Sequence, residues 1–178
     1  EVTQKGISPE AFRLHVLESH YRSQSKFSWD SLQAAQNRLN DLGAMAALRW
    51  QTIPSTTEQG ELSIAEVSPK IINLLADDLN TPQIVTLLSQ LSNQLQSTFI
   101  ANEQQEEFNI MLADIDTYLG LNLASIKDID EAAKSNIQQR EIAREAQDWS
   151  KSDEIRENLL KQGIGLRDTP QGAIWFPA

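Results

Sequence analysis

The chain is 178 residues long with 40% hydrophobic content, enough for one sizeable core or two small ones. It contains no cysteine, which excludes disulfides and thiolate metal sites and points to a reducing compartment, the cytoplasm. Its formal net charge is −10, which by itself speaks against nucleic acid as a partner, because phosphate contact draws on Lys and Arg.

The N-terminus, Glu1-Val2-Thr3-Gln4-Lys5, lacks the apolar stretch of a signal peptide, and an opening Glu reads as a fragment or processed form. No apolar run is long enough to form a membrane-spanning helix. Ser8-Pro9-Glu10 is a helix start: a capping Ser, Pro at the first helical position, and an acid at the positive dipole end. Phe12, Val16 and Tyr21 follow at roughly helical spacing and predict a helix over 9–21. Ser28 caps a second helix to about Trp50, with Leu32, Ala35, Leu39, Leu42 and Ala46 as its stripe. Gly43 interrupts that stripe without an evident reason. Residues 51–67 read as a loop. Ser68-Pro69 starts the next helix, through Ile72, Leu75 and Leu79, and Asn80-Thr81-Pro82 breaks it and begins another.

Ile84, Leu87, Leu88, Leu91 and Leu95 form one apolar face; Phe108, Met111, Leu112, Ile115 and Leu119 form the next, closed by Gly120. After a connector at 121–127, residues 128–149 read as a polar helix with a thin stripe of Ala132, Ile137, Ile142 and Ala146. A short helix at about 151–162 ends at Gly163. Two β-prone runs, Ile164 to Asp168 and Ala173 to Phe176, flank Thr169-Pro170-Gln171-Gly172 and predict a hairpin. The fold class is therefore mostly α, a helical bundle followed by a small α-plus-β-hairpin module.

No Gly-rich phosphate loop is present. His15 and His20 are five apart, not the i, i+4 pair of a helical zinc site, and read as structural. Asp77 and Asp78 would point about 100° apart on a helix, so they do not converge on one ligand. One constellation remains: Arg144, Trp149, Asp153, Arg156, Asp168 and Trp175. Single-stranded RNA is read by stacking bases on aromatic planes and hydrogen-bonding their Watson–Crick edges. A carboxylate suits guanine, which offers two adjacent donors, and Arg suits phosphate. The plainer alternative makes Trp149 and Trp175 core residues and Asp153 a first-turn acid favoured by the helix dipole. Charge distribution leaves room for RNA: residues 1–50 carry net +1, residues 51–133 carry −11, and residues 134–178 carry zero.

The run Ile142-Ala143-Arg144-Glu145-Ala146-Gln147-Asp148-Trp149-Ser150-Lys151-Ser152-Asp153-Glu154-Ile155-Arg156 resembles the C-terminal pattern of the cysteine–tRNA ligases. So does Gly163-Ile164-Gly165-Leu166-Arg167-Asp168-Thr169-Pro170-Gln171-Gly172-Ala173-Ile174-Trp175, with Ala173 where that family usually has Thr. Further back, Ser8-Pro9-Glu10, His20-Tyr21-Arg22-Ser23, Phe27-Ser28 and Asp77-Asp78-Leu79-Asn80-Thr81 resemble the family's stem-contact and helical-bundle motifs, in the same order.

The resemblance implies a division into a stem-contact-type segment (1–50), a loop (51–67), the rest of the bundle (68–127) and a C-terminal anticodon-recognition module (128–178). It implies that Trp149 stacks on an anticodon base and that Asp153 accepts from the anticodon guanine. Asp168 would meet the amino group of the middle base, a cytosine, while Arg144 would hold the anticodon loop. The implied partner is the tRNA for cysteine, with anticodon GCA, bound by a monomer without a membrane. The HxGH and KMSKS motifs of the catalytic domain are not found in these residues, so ATP and zinc are expected in that domain and no catalytic residue or cofactor in this stretch. Two alternatives stay open: the related ligase that joins cysteine to a glucosamine–inositol sugar, and a free-standing helical module for a basic protein partner.

Overall fold

The computed structural model describes residues 6–24, 26–54 and 63–178. Helix α1 (Pro9–Leu17) is capped by Ser8, whose side chain accepts from the Ala11 amide at 3.1 Å. It is shorter than the span expected to Tyr21, and a different face turns inward. Ala11, Leu14 and His15 are buried, whereas Phe12, Val16 and Tyr21 are exposed. The chain leaves the helix early because His20-Tyr21-Arg22 crosses to the turn at Asp78. There the Tyr21 hydroxyl donates to Asp78 Oδ1 at 2.7 Å, and Arg22 Nη2 donates to the same oxygen at 3.0 Å. Asp78 and Leu79 both have φ of +53°, a region that side-chain-bearing residues rarely occupy. The carboxylate's bonds to the N-terminal segment hold that turn in place.

Helix α2 (Trp29–Ala47) starts on a capping box between Ser28 and Ser31, buries Leu32, Ala35, Leu42 and Ala46 as expected, and ends in a 3₁₀ turn at Leu48–Trp50. Strand β1 (Thr52–Ile53) follows. Residues 55–62 of the expected loop lie outside the described residues. Helix α3 (Ile64–Ala76) begins a turn before Ser68-Pro69 and carries Pro69 inside it. An interior proline costs about 3 kcal/mol. Burying Ile64 and Val67 returns roughly 1.5–3 kcal/mol each, so tertiary burial outweighs the local start signal. The buried stripe is Ile64, Val67 and Ile71; Ile72 and Leu79 face solvent.

Helices α4 (Thr81–Leu95) and α5 (Gln105–Leu119) bury the two faces expected of them, and Gly120 ends α5 in the left-handed conformation at φ 65°. Leu42, Ile71, Leu88, Phe108 and Ile115 lie in the main core. Strand β2 (Ile100–Ala101) pairs in parallel with β1. Two-residue strands carry no readable periodicity, so the sequence reading, which expected only a hairpin, did not contain this pair.

Helix α6 runs over Glu131–Glu145 with Asp130 as its cap, and α7 over Trp149–Lys161. Strands β3 (Ile164–Thr169) and β4 (Gly172–Pro177) form the expected hairpin, registered from Ile164 opposite Pro177 to Thr169 opposite Gly172. The inward face of α6 is Ala133, Arg140 and Ala143 with Ile137 half-buried, and Ala132, Ile142 and Ala146 are exposed. The hairpin bridges two cores. Ile174 belongs to the main one, and Trp175 to a second with Ala47, Ala133, Leu159 and Leu166.

Candidate nucleic-acid interface

The residues singled out from the sequence lie on α6, α7, β3 and β4. The turn between the two helices sets their directions. Ala146 ends α6, Gln147 takes a left-handed φ of 59°, the Gln147 amide donates to the Arg144 carbonyl at 3.0 Å, and the Asp148 amide donates to the Ala143 carbonyl at 2.8 Å. These two bonds form a Schellman turn with a non-glycine residue in the left-handed position. Asp148 then caps α7, accepting from the Lys151 amide at 3.1 Å.

Trp149 is therefore the first residue of α7 rather than the end of α6, and its side chain is 58% exposed. Trp175 is buried. The core alternative holds for one tryptophan and fails for the other. Asp153 is the fifth residue of α7 and exposed, so the first-turn-acid reading does not describe it; the acid at that helix start is Asp148. Trp149, Asp153 and Arg156 recur at i, i+4 and i+7, one side of α7, beside the buried stripe of Ser152 and Leu159.

Opposite that helix lies an ion-pair cluster that the sequence reading missed. Arg140 is 1% exposed, the largest fully buried side chain among the described residues. It grips Asp168 with both arms, Nη1 to Oδ1 at 2.7 Å and Nη2 to Oδ2 at 3.1 Å. Arg144, one helical turn on, donates to Oδ2 at 3.0 Å from a half-exposed position. The hydrogen bond from Arg140 lowers the Asp168 pKa below the usual carboxylate range, against the opposing effect of burial, with further help from the charges of Arg140, Arg144 and Arg156. The same bond raises the Arg140 pKa against the effect of burial, and the charges of Asp168, of Glu141 (which accepts from Nη1 at 3.2 Å) and of Asp153 add to it. Glu141, Arg144, Asp153, Arg156 and Asp168 thus share one electrostatic neighbourhood, organised around Arg140. The available sequence signal was the i, i+4 repeat of Arg140 and Arg144, which reads as ordinary solvated helix surface.

The cluster suits recognition rather than covalent chemistry. It offers an ionised carboxylate with part of its acceptor capacity free, guanidinium donors, a second exposed carboxylate and an exposed indole plane. Among the described residues no group of His, Asp and Glu could hold a metal ion, and no helix is long and apolar enough to cross a membrane.

No protein-family model matches the chain. Individual relatives do. The chain is 30% identical over 178 residues to the cysteine–tRNA ligase of Finegoldia magna, covering 97% of this chain and 38% of that protein. It is 32% identical to that of Leptospira interrogans, covering 98% and 40%, and 31% identical to that of Acinetobacter baumannii, covering 94% and 38%. The chain thus spans about two fifths of the length of the curated relatives it matches. Over nearly its whole length, then, the chain is similar to the C-terminal region of cysteine–tRNA ligases.

Proposed function

We propose that this chain is the tRNA-binding and anticodon-recognising portion of a cysteine–tRNA ligase, a monomeric cytoplasmic enzyme that joins cysteine to its tRNA with ATP. ATP and zinc act elsewhere in such an enzyme, and these residues alone carry out no ATP–pyrophosphate exchange. Trp149 stacks on an anticodon base, and Asp153 accepts from N1–H and N2–H₂ of the anticodon guanine. Asp168 accepts from the amino group of the middle cytosine, and Arg144 holds the loop through phosphate or base contact. The observation that carries this reading is the exposed Trp149 on one helix side with Asp153 and Arg156, with Arg156 close enough to help hold Asp168 ionised. Carboxylates beside a polyanion are repulsive unless they read donors, and an exposed indole is a stacking surface that tolerates any base.

The test is a titration of the chain with RNA hairpins carrying GCA and single-base variants, at low and moderate salt. GCA should be preferred, and affinity should fall with salt, as it does wherever Lys and Arg displace counterions from phosphate. Equal affinity for all loops, or affinity indifferent to salt, would defeat the reading.

A further inference from the structure

We propose that Arg140 is the positioning residue of this interface: from inside the module it holds both oxygens of Asp168, leaving one acceptor site for a single base-edge donor. The proposal rests on the RNA-reading function above and adds a residue that touches no RNA.

Burying a guanidinium costs several kcal/mol unless it is paired, and apolar replacement of a buried ion pair is often neutral or stabilising. Stability alone therefore gives no reason for Arg at a position 1% exposed, on the helix face that also buries Ala133 and Ala143. What the side chain does provide is orientation. Asp168 lies on β3 and Arg140 on α6, and the two-armed bond at 2.7 and 3.1 Å fixes the plane of the carboxylate. Acceptor capacity is then limited. A carboxylate has roughly four lone-pair sites. Arg140 uses one on each oxygen and Arg144 a second on Oδ2. One site, on Oδ1, remains for solvent or ligand. That suits an edge with one amino donor, such as cytosine N4–H₂, and cannot satisfy the paired donors of guanine. Arg144 has unused donors beside it for the cytosine's acceptors. Asp153 has both oxygens available, so the two carboxylates differ in what they can read.

The test uses this chain and RNA hairpins carrying GCA, its middle-base variants and its first-base variants. Two substitutions are compared with wild type. Arg140→Lys keeps the charge but has no fork to hold two oxygens, and Arg140→Met keeps volume without charge. Wild type should discriminate at the middle base by about fivefold to 150-fold. Both variants should lose most of that preference while keeping preference at the first base. Carboxyl NMR should show the Asp168 titration moving up toward the ordinary aspartate range in Arg140→Met. Should Arg140→Met not fold, Arg140→Lys decides alone. Wild-type discrimination retained by the folded variants overturns the positioning role and leaves the RNA-reading function standing. Affinity falling equally at both bases also overturns it, since that is what a merely structural role does. A wild-type chain with no base preference sinks the RNA-reading function and this proposal together.

Discussion

Gln51 and Trp175, far apart in the chain, form a two-point pair: Gln51 Nε2 donates to the Trp175 carbonyl at 2.9 Å, and the Trp175 amide donates to Gln51 Oε1 at 2.8 Å. The side-chain amide thus imitates a neighbouring strand along β4. It also donates to the Ala47 carbonyl at 3.2 Å, so it joins the end of α2 to the hairpin. Both residues are buried, and no water replaces a lost partner cheaply. Gln51→Ala should therefore cost about 1–3 kcal/mol for each backbone group left unsatisfied. Urea denaturation would measure it, and a loss under half a kilocalorie would mean that β4 finds other partners.

The Asp168–Arg140 pair makes a pH-dependent contribution of defined sign. The folded-state pKa of Asp168 is lowered, chiefly by the Arg140 hydrogen bond. Its stabilisation is therefore complete above the unfolded aspartate value, ~3.9, and is lost as pH falls through the lowered folded value. The stability gap between wild type and Asp168→Asn should be constant through the neutral range and narrow below about pH 4. A gap that holds unchanged into strong acid would show that the ionised form of Asp168 is not what Arg140 binds.

The faces of α4 and α5, the Ser8 and Ser28 caps, the Gly120 stop and the hairpin were legible because each rests on local chemistry: periodicity, caps and turn residues. What was not legible depends on distant partners. Phe12 and Val16 satisfied helical spacing, yet Ala11 and Leu14 are the residues that meet α2. Arg140 went unnoticed because what sets it apart is its bond to Asp168 across the module. Of the site residues chosen from the sequence, Arg144 and Asp168 are bonded to each other, and Trp149 and Asp153 share one helix side. Trp175 went to the core, which residue type alone could not decide.

The surroundings of Gly43 do not call for glycine. A Cβ built there would meet only Ile126 Cδ1, at 3.5 Å, an ordinary contact. Nothing in the packing requires glycine in the middle of α2. Gly43→Ala should raise stability by about 0.5–1 kcal/mol through helix propensity, read as a higher urea midpoint with an unchanged slope. A lower midpoint would mean that Ile126 has no room to share.

The sharpest separation of roles is between Trp149 and Asp153, neighbours on one side of α7. Trp149 is 58% exposed, so Trp149→Ala should leave folding stability within about 0.5 kcal/mol of wild type. If its indole stacks on a base, the same substitution should weaken every hairpin alike, by about 1–3 kcal/mol, because each base has a face to stack. Asp153→Ala should instead leave affinity for non-guanine variants nearly unchanged and cost about 1–3 kcal/mol against GCA alone, since a base-edge contact serves one base. Anisotropy titrations with GCA and first-base variants distinguish the two patterns directly. If Asp153→Ala weakened all hairpins equally, Asp153 would be acting on the position of Arg140 or on the helix, not on guanine. If it strengthened them all, it would be an ordinary repulsive charge beside the RNA, and the guanine contact would have to come from another residue.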